Sequence, residues 1–453
     1  MQYWKPDGEF YVGDCMPFYH DGVFHLYWLL DEKHHQALGG LGGHQWAHAS
    51  STDLVHWQHH PLAIAITEPW EGSICTGSTR YYDGVFYAFY ATRRLDRTQH
   101  LSLATSRDGI HFQKQQPNPY LMPPPGYSPY DYRDPHVFRD AETGLFHLLV
   151  TATLSEAPLA DRGGCLAHWT SPDLQSWHQQ PPFLVPGYVG APECPDYFAW
   201  RGWYYLVFSQ HGVARYRMSR CPLGPWVRPP VDTFDGPMAR VLKTAPFTGD
   251  RRLGVAFLPA REGDRDDGAV QYAGNAVFRE LLQHADGTLG TRFPPEMVPA
   301  SGRPLAPSVS ALTDGVSGDI GCVRIESPEG MGAALLSGVP HDARVTVRLR
   351  PLTPTASFGL WLRASGALAQ GYALRVLPYE RRVALGAASI ACVDGLEEAF
   401  DLDVVMKGSI VDLCVDGRRC LVERCPAQLG DALGLYVREG AVAFREISVR
   451  PLD

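Results

Sequence analysis

Apolar residues along this chain fall in short alternating or continuous runs, rich in aromatic and β-branched side chains and separated by Gly, Pro, Asp and Asn. Runs of that length between turn residues predict strands rather than helices. One unit, a tight turn followed by an aromatic strand, recurs as DGVFHLYWLL from Asp21, DGVFYAFYAT from Asp83, TGLFHLLVTA from Thr143 and RGWYYLVFSQ from Arg201, with a fainter copy, RRLGVAFLPA, from Arg251. A second unit follows each of the clear copies: SSTDLVHW from Ser50, TSRDGIHF from Thr105, TSPDLQSW from Thr170 and MSRCPLGPW from Met218. Two interleaved series spaced by roughly 50 to 65 residues describe a four-stranded antiparallel sheet repeated around an axis. The expectation is an all-β fold whose residues 1–295 form a five-bladed β-propeller. An irregular sandwich is the competing reading, because a DG turn before an aromatic strand is a general hairpin signal, but it does not account for two series in step.

After the fifth copy the rhythm changes. A Pro- and Gly-rich stretch around 296–306 reads as a linker. Beyond it, ARVTVRLR from Ala343, SFGLWLRA from Ser357, GYALRVLP from Gly371, SIVDLCVDG from Ser409 and AVAFREISVRP from Ala441 predict a C-terminal β-sandwich over 307–453.

Composition narrows the function. The formal net charge is −9 and the basic residues do not cluster, so a nucleic-acid partner is not expected. No apolar stretch is long enough to span a membrane, and the start MQYWKPDGEF lacks the pattern of a secretion signal, so a cytoplasmic location is expected. The 10 cysteines form no Cys-x-x-Cys pair and are expected to be mostly free thiols. No His-Glu-x-x-His or comparable spacing among the 18 histidines supports a metal, and no cofactor is expected.

A propeller gathers the first strands of its blades around one axis, so acids distant in sequence converge there. Asp14 in YVGDCMPFYHDG, Asp134 in YRDPHVF and Glu193 in APECPDYF occupy comparable blade-start positions. Two carboxyls suffice for glycoside hydrolysis, one attacking the anomeric carbon and the other protonating the leaving oxygen, and a third can bind sugar hydroxyls. Such crowding is expected to raise the pKa of Glu193 while Asp14 stays ionised. Cys194 has no base in its surrounding motif and is not read as a nucleophile.

These segments resemble glycoside hydrolase family 32, the invertase, inulinase and levanase group. WAHASSTDLVHWQHHPLAI from Trp46 is similar to the family's Trp-Gly-His-Ala block, and TGSTRYYDG from Thr76 to its Ser-Gly-Ser block. Arg133-Asp134-Pro135 matches its Arg-Asp-Pro motif and Glu193-Cys194-Pro195-Asp196 its Glu-Cys-Pro-Asp motif. The resemblance continues through NAVFRELLQHADGTL from Asn275 and KGSIVDLCVDGRRCLVER from Lys407. It implies a retaining β-fructofuranosidase in which Asp14 is the nucleophile, Glu193 the acid/base and Asp134 the stabiliser of the transition state, with Arg133 holding a small carbohydrate substrate. Ser78 and Tyr132 lie in matching blocks as candidate substrate contacts, and Trp46 is either a sugar platform or a core residue. The nucleophile motif departs from the family's Asn-Asp-Pro-Asn-Gly, keeping only the acid in Gly13-Asp14-Cys15-Met16-Pro17, and Leu29 stands where the family commonly has a substrate-contacting Gln. Specificity is therefore open: another furanoside such as a β-arabinofuranoside, fructosyl transfer, or a non-catalytic carbohydrate-binding propeller are the alternatives.

Overall fold

A computed structural model describes residues 1–452, and strands account for nearly all of its regular structure, the rest being one short α-helical turn at Ala37–Gly40 and four 3₁₀ turns of three residues each. Successive antiparallel sheets make five blades. The first holds β1 (Phe10–His20), β2 (Val23–Glu32), β3 (Gln45–Ser51) and β4 (Gln58–His59). The second holds β5 (Glu71–Tyr82), β6 (Val85–Arg94), β7 (Gln99–Ser106) and β8 (Gln113–Lys114), and the third β9 (Tyr127–Arg139), β10 (Phe146–Leu154), β11 (Gly164–Ser171) and β12 (His178–Tyr188). The fourth has β13 (Glu193–Trp200), β14 (Trp203–Gln210) and β15 (Val213–Ser219), with Val227 and Thr233 bridging to the outer edge of β15. The fifth has β16 (Arg240–Phe247), β17 (Arg251–Arg261) and β18 (Val270–Gln283). Ring closure falls to the N-terminal segment: Tyr3 N–H donates to the Ala276 carbonyl of β18 and Ala276 N–H donates back to Trp4, both at 2.9 Å. The first strands β1, β5, β9, β13 and β16 neighbour one another around the axis.

The second repeated motif has a local explanation. In each of the first three blades a Ser and an Asp two residues later tie the turn after the third strand. Asp53 Oδ1 accepts from the N–H groups of Val55 and His56, both at 2.8 Å. Asp108 does the same for Ile110 and His111 at 2.9 and 2.8 Å, and Asp173 for Gln175 and Ser176 at 2.9 and 2.7 Å. The preceding Ser51, Ser106 and Ser171 each hydrogen-bond that aspartate. Short polar side chains that mimic a backbone turn in this way are what the pattern Ser-x-Asp supplies. Blade four keeps Ser219 but has Cys221 in place of the acid.

By contact density the chain divides into two units, one made of residues 1–233, 239–259 and 271–288 and the other of 234–238, 260–270 and 289–453. The second contains β19 (Leu289–Arg292) to β31 (Ala432–Pro451). The long β31 and β22 (Cys322–Ser337) run antiparallel and are shared between layers: β31 pairs with β24 (Ser357–Ser365) through its first half and with β23 (Ala343–Pro351) through its second. Strands such as β23 alternate buried with part-exposed positions and turn Val345, Val347 and Leu349 into one continuous apolar core with Leu360, Leu413, Leu435 and Phe444. That is the two-layer sandwich anticipated from the alternation. All ten cysteines are free thiols, and no helix among the described residues is long and apolar enough to cross a membrane.

Replacing Asp108 by Ala leaves the Ile110 and His111 N–H groups without their acceptor. The expected loss is about 1 kcal/mol, the usual worth of a side-chain cap, measured as a lower urea midpoint; Asp108→Asn, which keeps one acceptor oxygen, loses less.

Candidate active site

Each first strand carries the same irregularity at the same level: two residues stand opposite one on the second strand. The pairs are Gly13-Asp14 against Leu29, Cys75-Thr76 against Ala91, Asp134-Pro135 against Val150, Cys194-Pro195 against Phe208 and Val241-Leu242 against Ala256. A bulge bends its strand and re-aims a side chain out of the alternation. Asp134, Cys194 and Val241 sit in the left-handed region at φ 53°, 52° and 54°, a conformation non-glycine residues rarely adopt. Such local strain, of order 1–3 kcal/mol per residue, persists where the surroundings over-determine it and clusters at functional sites. At the second bulge Gly77 is required for another reason: a Cβ there would lie 1.8 Å from the Phe89 carbonyl oxygen.

The three acids occupy different places relative to their bulges. Asp14 is the second bulge residue, Asp134 the first, and Glu193 the residue just before one. All three reach the same small volume. Asp14 is 9% exposed and both its oxygens are held: Oδ2 accepts from Thr76 Oγ1 at 2.5 Å and from the Cys194 thiol at 3.5 Å, while Oδ1 accepts from the Tyr272 hydroxyl at 3.1 Å. Asp134 accepts from the Cys194 backbone N–H at 3.1 Å, and that N–H is shared with Thr151 Oγ1 at 3.1 Å. Arg133 donates to Glu193 Oε1 at 2.8 Å, approaches Asp134 Oδ2 at 3.6 Å and pairs with Asp131, itself held by the Thr153 hydroxyl. The Glu193 carboxyl is about a third exposed, the most open of the three.

Burial pushes the Glu193 carboxyl above the ordinary glutamate range; the Arg133 guanidinium opposes the rise and the Asp134 charge adds to it. Asp14 departs from expectation. Burial and the Asp134 charge push it up as well, and the hydrogen bonds from Thr76 and Tyr272 only partly offset them. Like charges in a dry site disfavour ionisation of both partners, and geometry distinguishes the two: one carboxyl is clamped by donors, the other is about a third exposed beside a guanidinium.

Four of the sequence-stated candidates thus meet here: Asp14, Asp134, Glu193 and Arg133. The other three do not, and the structure corrects them. Trp46 is 0% exposed, donates its indole N–H to the Cys75 carbonyl at 2.9 Å and packs between Tyr27 and Tyr90, a core position with no face for a sugar. Tyr132 is likewise 0% exposed, its hydroxyl accepting from the Trp169 indole at 2.7 Å. The buried Ser78 hydroxyl is committed to the Val137 N–H at 3.2 Å, joining blades two and three. Leu29, where a substrate-contacting Gln was looked for, is buried as well. Residues that sequence reasoning passed over are Thr76, Thr151, Asp131, Cys194 as a donor, and Tyr272. Thr76 lay inside a quoted motif, whereas nothing around Tyr272 marks it.

One donor set near the site has metal-ligand geometry, since atoms of Asp31, His35 and His44 lie within 4.8 Å of one another. Arg93 Nη1 can only donate, and it lies 3.0 Å from His35 Nε2, while His35 Nδ1 lies 3.3 Å from His44 Nε2. Burial and neighbouring positive charge lower the His35 pKa to about 4, so the ring is neutral. The same His44 Nε2 lies 2.8 Å from Asp31 Oδ1.

The raised Asp14 carboxyl carries a stability consequence. Its folded state holds the proton more tightly than the unfolded chain, so its contribution is present at low pH and is lost as pH rises through the folded pKa. Asp14→Asn should therefore melt a few degrees above the parent protein at neutral pH, the gap closing as pH falls, in thermal unfolding monitored across a pH series.

The sequence and the fold have counterparts among known proteins. Residues 14–223 match the model described as glycosyl hydrolases family 32 N-terminal domain. The sucrose-6-phosphate hydrolase of Escherichia coli is 34% identical over 205 residues, 42% of this chain and 40% of that protein. The levanbiose-producing levanase of Bacillus subtilis is 28% identical over 239 residues, 50% of this chain and 40% of that protein. The matched stretch thus spans about two fifths of the length of these relatives. Among solved structures, fructan 1-exohydrolase IIa from Cichorium intybus superposes with a TM-score of 0.77 at 17% identity, covering 100% of this chain and 96% of that one. The sucrose-6-phosphate hydrolase from Lactobacillus gasseri does so with a TM-score of 0.70 at 16% identity, covering 98% and 93%. At those identities the superpositions speak for the fold, a propeller with a sandwich. The matched family model and the shared architecture point the same way: over residues 14–223 the chain is similar to the N-terminal domain of glycosyl hydrolases family 32, and as a whole it shares the fold of the solved fructan 1-exohydrolase.

Proposed function

We propose that this protein is a retaining glycoside hydrolase that releases a terminal β-fructofuranosyl unit from a fructan or fructosyl oligosaccharide through a covalent fructosyl-enzyme. The observation that carries the reading is the contrast between two carboxyls in one pocket: Asp14 clamped on both oxygens, Glu193 about a third exposed and paired with Arg133. Sugar-cleaving activities named for the relatives, on sucrose 6-phosphate, raffinose and levan, support the substrate class.

In the first step an Asp14 oxygen attacks the anomeric carbon, the bond to the leaving oxygen breaks, and Glu193 gives that oxygen its proton. In the second, Glu193 takes a proton from water, the water oxygen attacks the anomeric carbon, and Asp14 departs as carboxylate. Retention requires the two carboxyls about 5–5.5 Å apart. Asp134, fixed by the Cys194 N–H, is positioned to bind sugar hydroxyls as charge develops on the ring, and Arg133 keeps Glu193 and Asp134 in register. A raised Glu193 pKa serves this cycle, since the group must enter it protonated.

The roles separate by chemistry. Glu193→Ala should lose roughly 10²–10⁴-fold in kcat on fructosyl oligosaccharides but far less on an activated aryl fructoside, whose departure needs little protonation. Added azide should rescue that variant and give a fructosyl azide of retained configuration. Asp14→Ala should lose both substrate classes by on the order of 10⁴-fold or more. Equal losses for the two classes in Glu193→Ala, or an inverted azide product, would remove Glu193 from the acid role.

A further inference from the structure

We propose that Tyr272 is a positioning residue for Asp14 and that residue 13 is glycine to admit its hydroxyl, an inference that rests on the nucleophile role proposed for Asp14. The nucleophile motif has lost every familiar neighbour of its acid, and what replaces them comes from the far end of the propeller sequence. The Tyr272 hydroxyl donates to Asp14 Oδ1 at 3.1 Å and accepts the Asp14 backbone N–H at 3.4 Å. It thereby closes a ring between main chain and side chain of one residue, which holds the carboxylate's rotation. With Thr76 and Cys194 on Oδ2, Oδ1 carries a single, longer bond and is the freer oxygen to attack.

The tyrosine is itself fixed. Its ring lies edge-on to Phe257 and His35 at 5.3 and 5.6 Å and tilted against His44 at 5.4 Å, and its carbonyl accepts from His34 Nδ1 at 2.8 Å. His44 in turn is anchored on the buried Asp31. Gly13 completes the arrangement: a Cβ there would stand 2.8 Å from the Tyr272 hydroxyl and 3.2 Å from both the Leu29 Cβ and its carbonyl oxygen. Any larger residue displaces the hydroxyl from Asp14.

The groups facing Asp14 from each packed element are Thr76 on β5, Asp134 on β9, Glu193 and Cys194 on β13, Tyr272 on β18 and, at longer range, His44 and Cys15. Of these, Thr76, Cys194 and Tyr272 donate to the carboxylate, and the two acids oppose its charge. Removing a donor disfavours the ionised form, so loss of the Tyr272 hydroxyl moves Asp14 titration to higher pH.

The test is a double-mutant cycle with two readouts. Tyr272→Phe keeps the ring contacts and should leave the melting temperature near the parent value, while kcat/KM falls roughly 10- to 100-fold, the range for a hydrogen bond to a charged group. The acid limb of its pH profile should move up. Gly13→Ala alone should reproduce that loss, yet on the Tyr272→Phe background it should change kcat/KM by less than about threefold, because the added methyl enters space the hydroxyl has vacated. Carboxyl ¹³C NMR, with Asp14 assigned by its disappearance in Asp14→Asn, follows the titration without substrate. Asp14 titrating at the same pH in Tyr272→Phe, or Gly13→Ala exerting its full effect in both backgrounds, overturns the inference. Activity surviving in Asp14→Ala would instead sink the functional reading and leave the NMR result standing.

Discussion

Five strands converging on one axis leave too little room for five regular ladders, and the two-against-one bulge in each of them is the constraint on which the site depends. In an unbroken strand, side chains alternate between the flanking interfaces with period two. The inserted residue breaks that alternation once per blade, at one height, and turns consecutive residues toward the opening. Asp14, Asp134 and Glu193 come together although each stands at a different offset from the bulge of its strand. Thr76 and Cys194, at the bulges of two other strands, become donors to the same carboxylate by the same device.

What the bulges bring together, electrostatics resists. Two carboxyls with raised pKa values share the axis with Asp134 and a single close guanidinium. The arrangement holds because every close group is over-bonded: Arg133 to three acids, Asp134 to a backbone N–H, Asp14 to three side-chain donors. Such a site is preorganised at the expense of stability. The left-handed Asp134 and Cys194 add backbone strain at the same point, and Cys194 touches both aspartates, through its N–H to one and its thiol to the other.

The polar contacts of Asp14 come from outside its own strand. Gly13, Cys15 and Met16 supply none, and the polar contacts arrive from Thr76, Cys194 and Tyr272 on other blades. Leu29 is buried and packs behind Gly13.

The sequence by itself determined the all-β class, the repeat of strand and turn, and the change to an alternating sandwich, because turn chemistry and binary pattern act over a few residues and need no partner to be read. Ser-x-Asp in three blades is the clearest case: its hydrogen bonds close within five residues. It also determined which acids to suspect, since Arg133-Asp134-Pro135 and Glu193-Cys194-Pro195-Asp196 are local strings. Tertiary structure alone decided which neighbours of those acids face the pocket. Tyr132 and Arg133 are adjacent, yet one is sealed against Trp169 and the other spans two acids. Trp46 and Ser78 sit in equally suggestive strings and are fixed in the interior by partners from another strand. Tyr272 reaches Asp14 across 258 residues of sequence. Side-chain direction in a bulged strand depends on where the extra residue is inserted, and that is set by crowding among five strands that no local window contains.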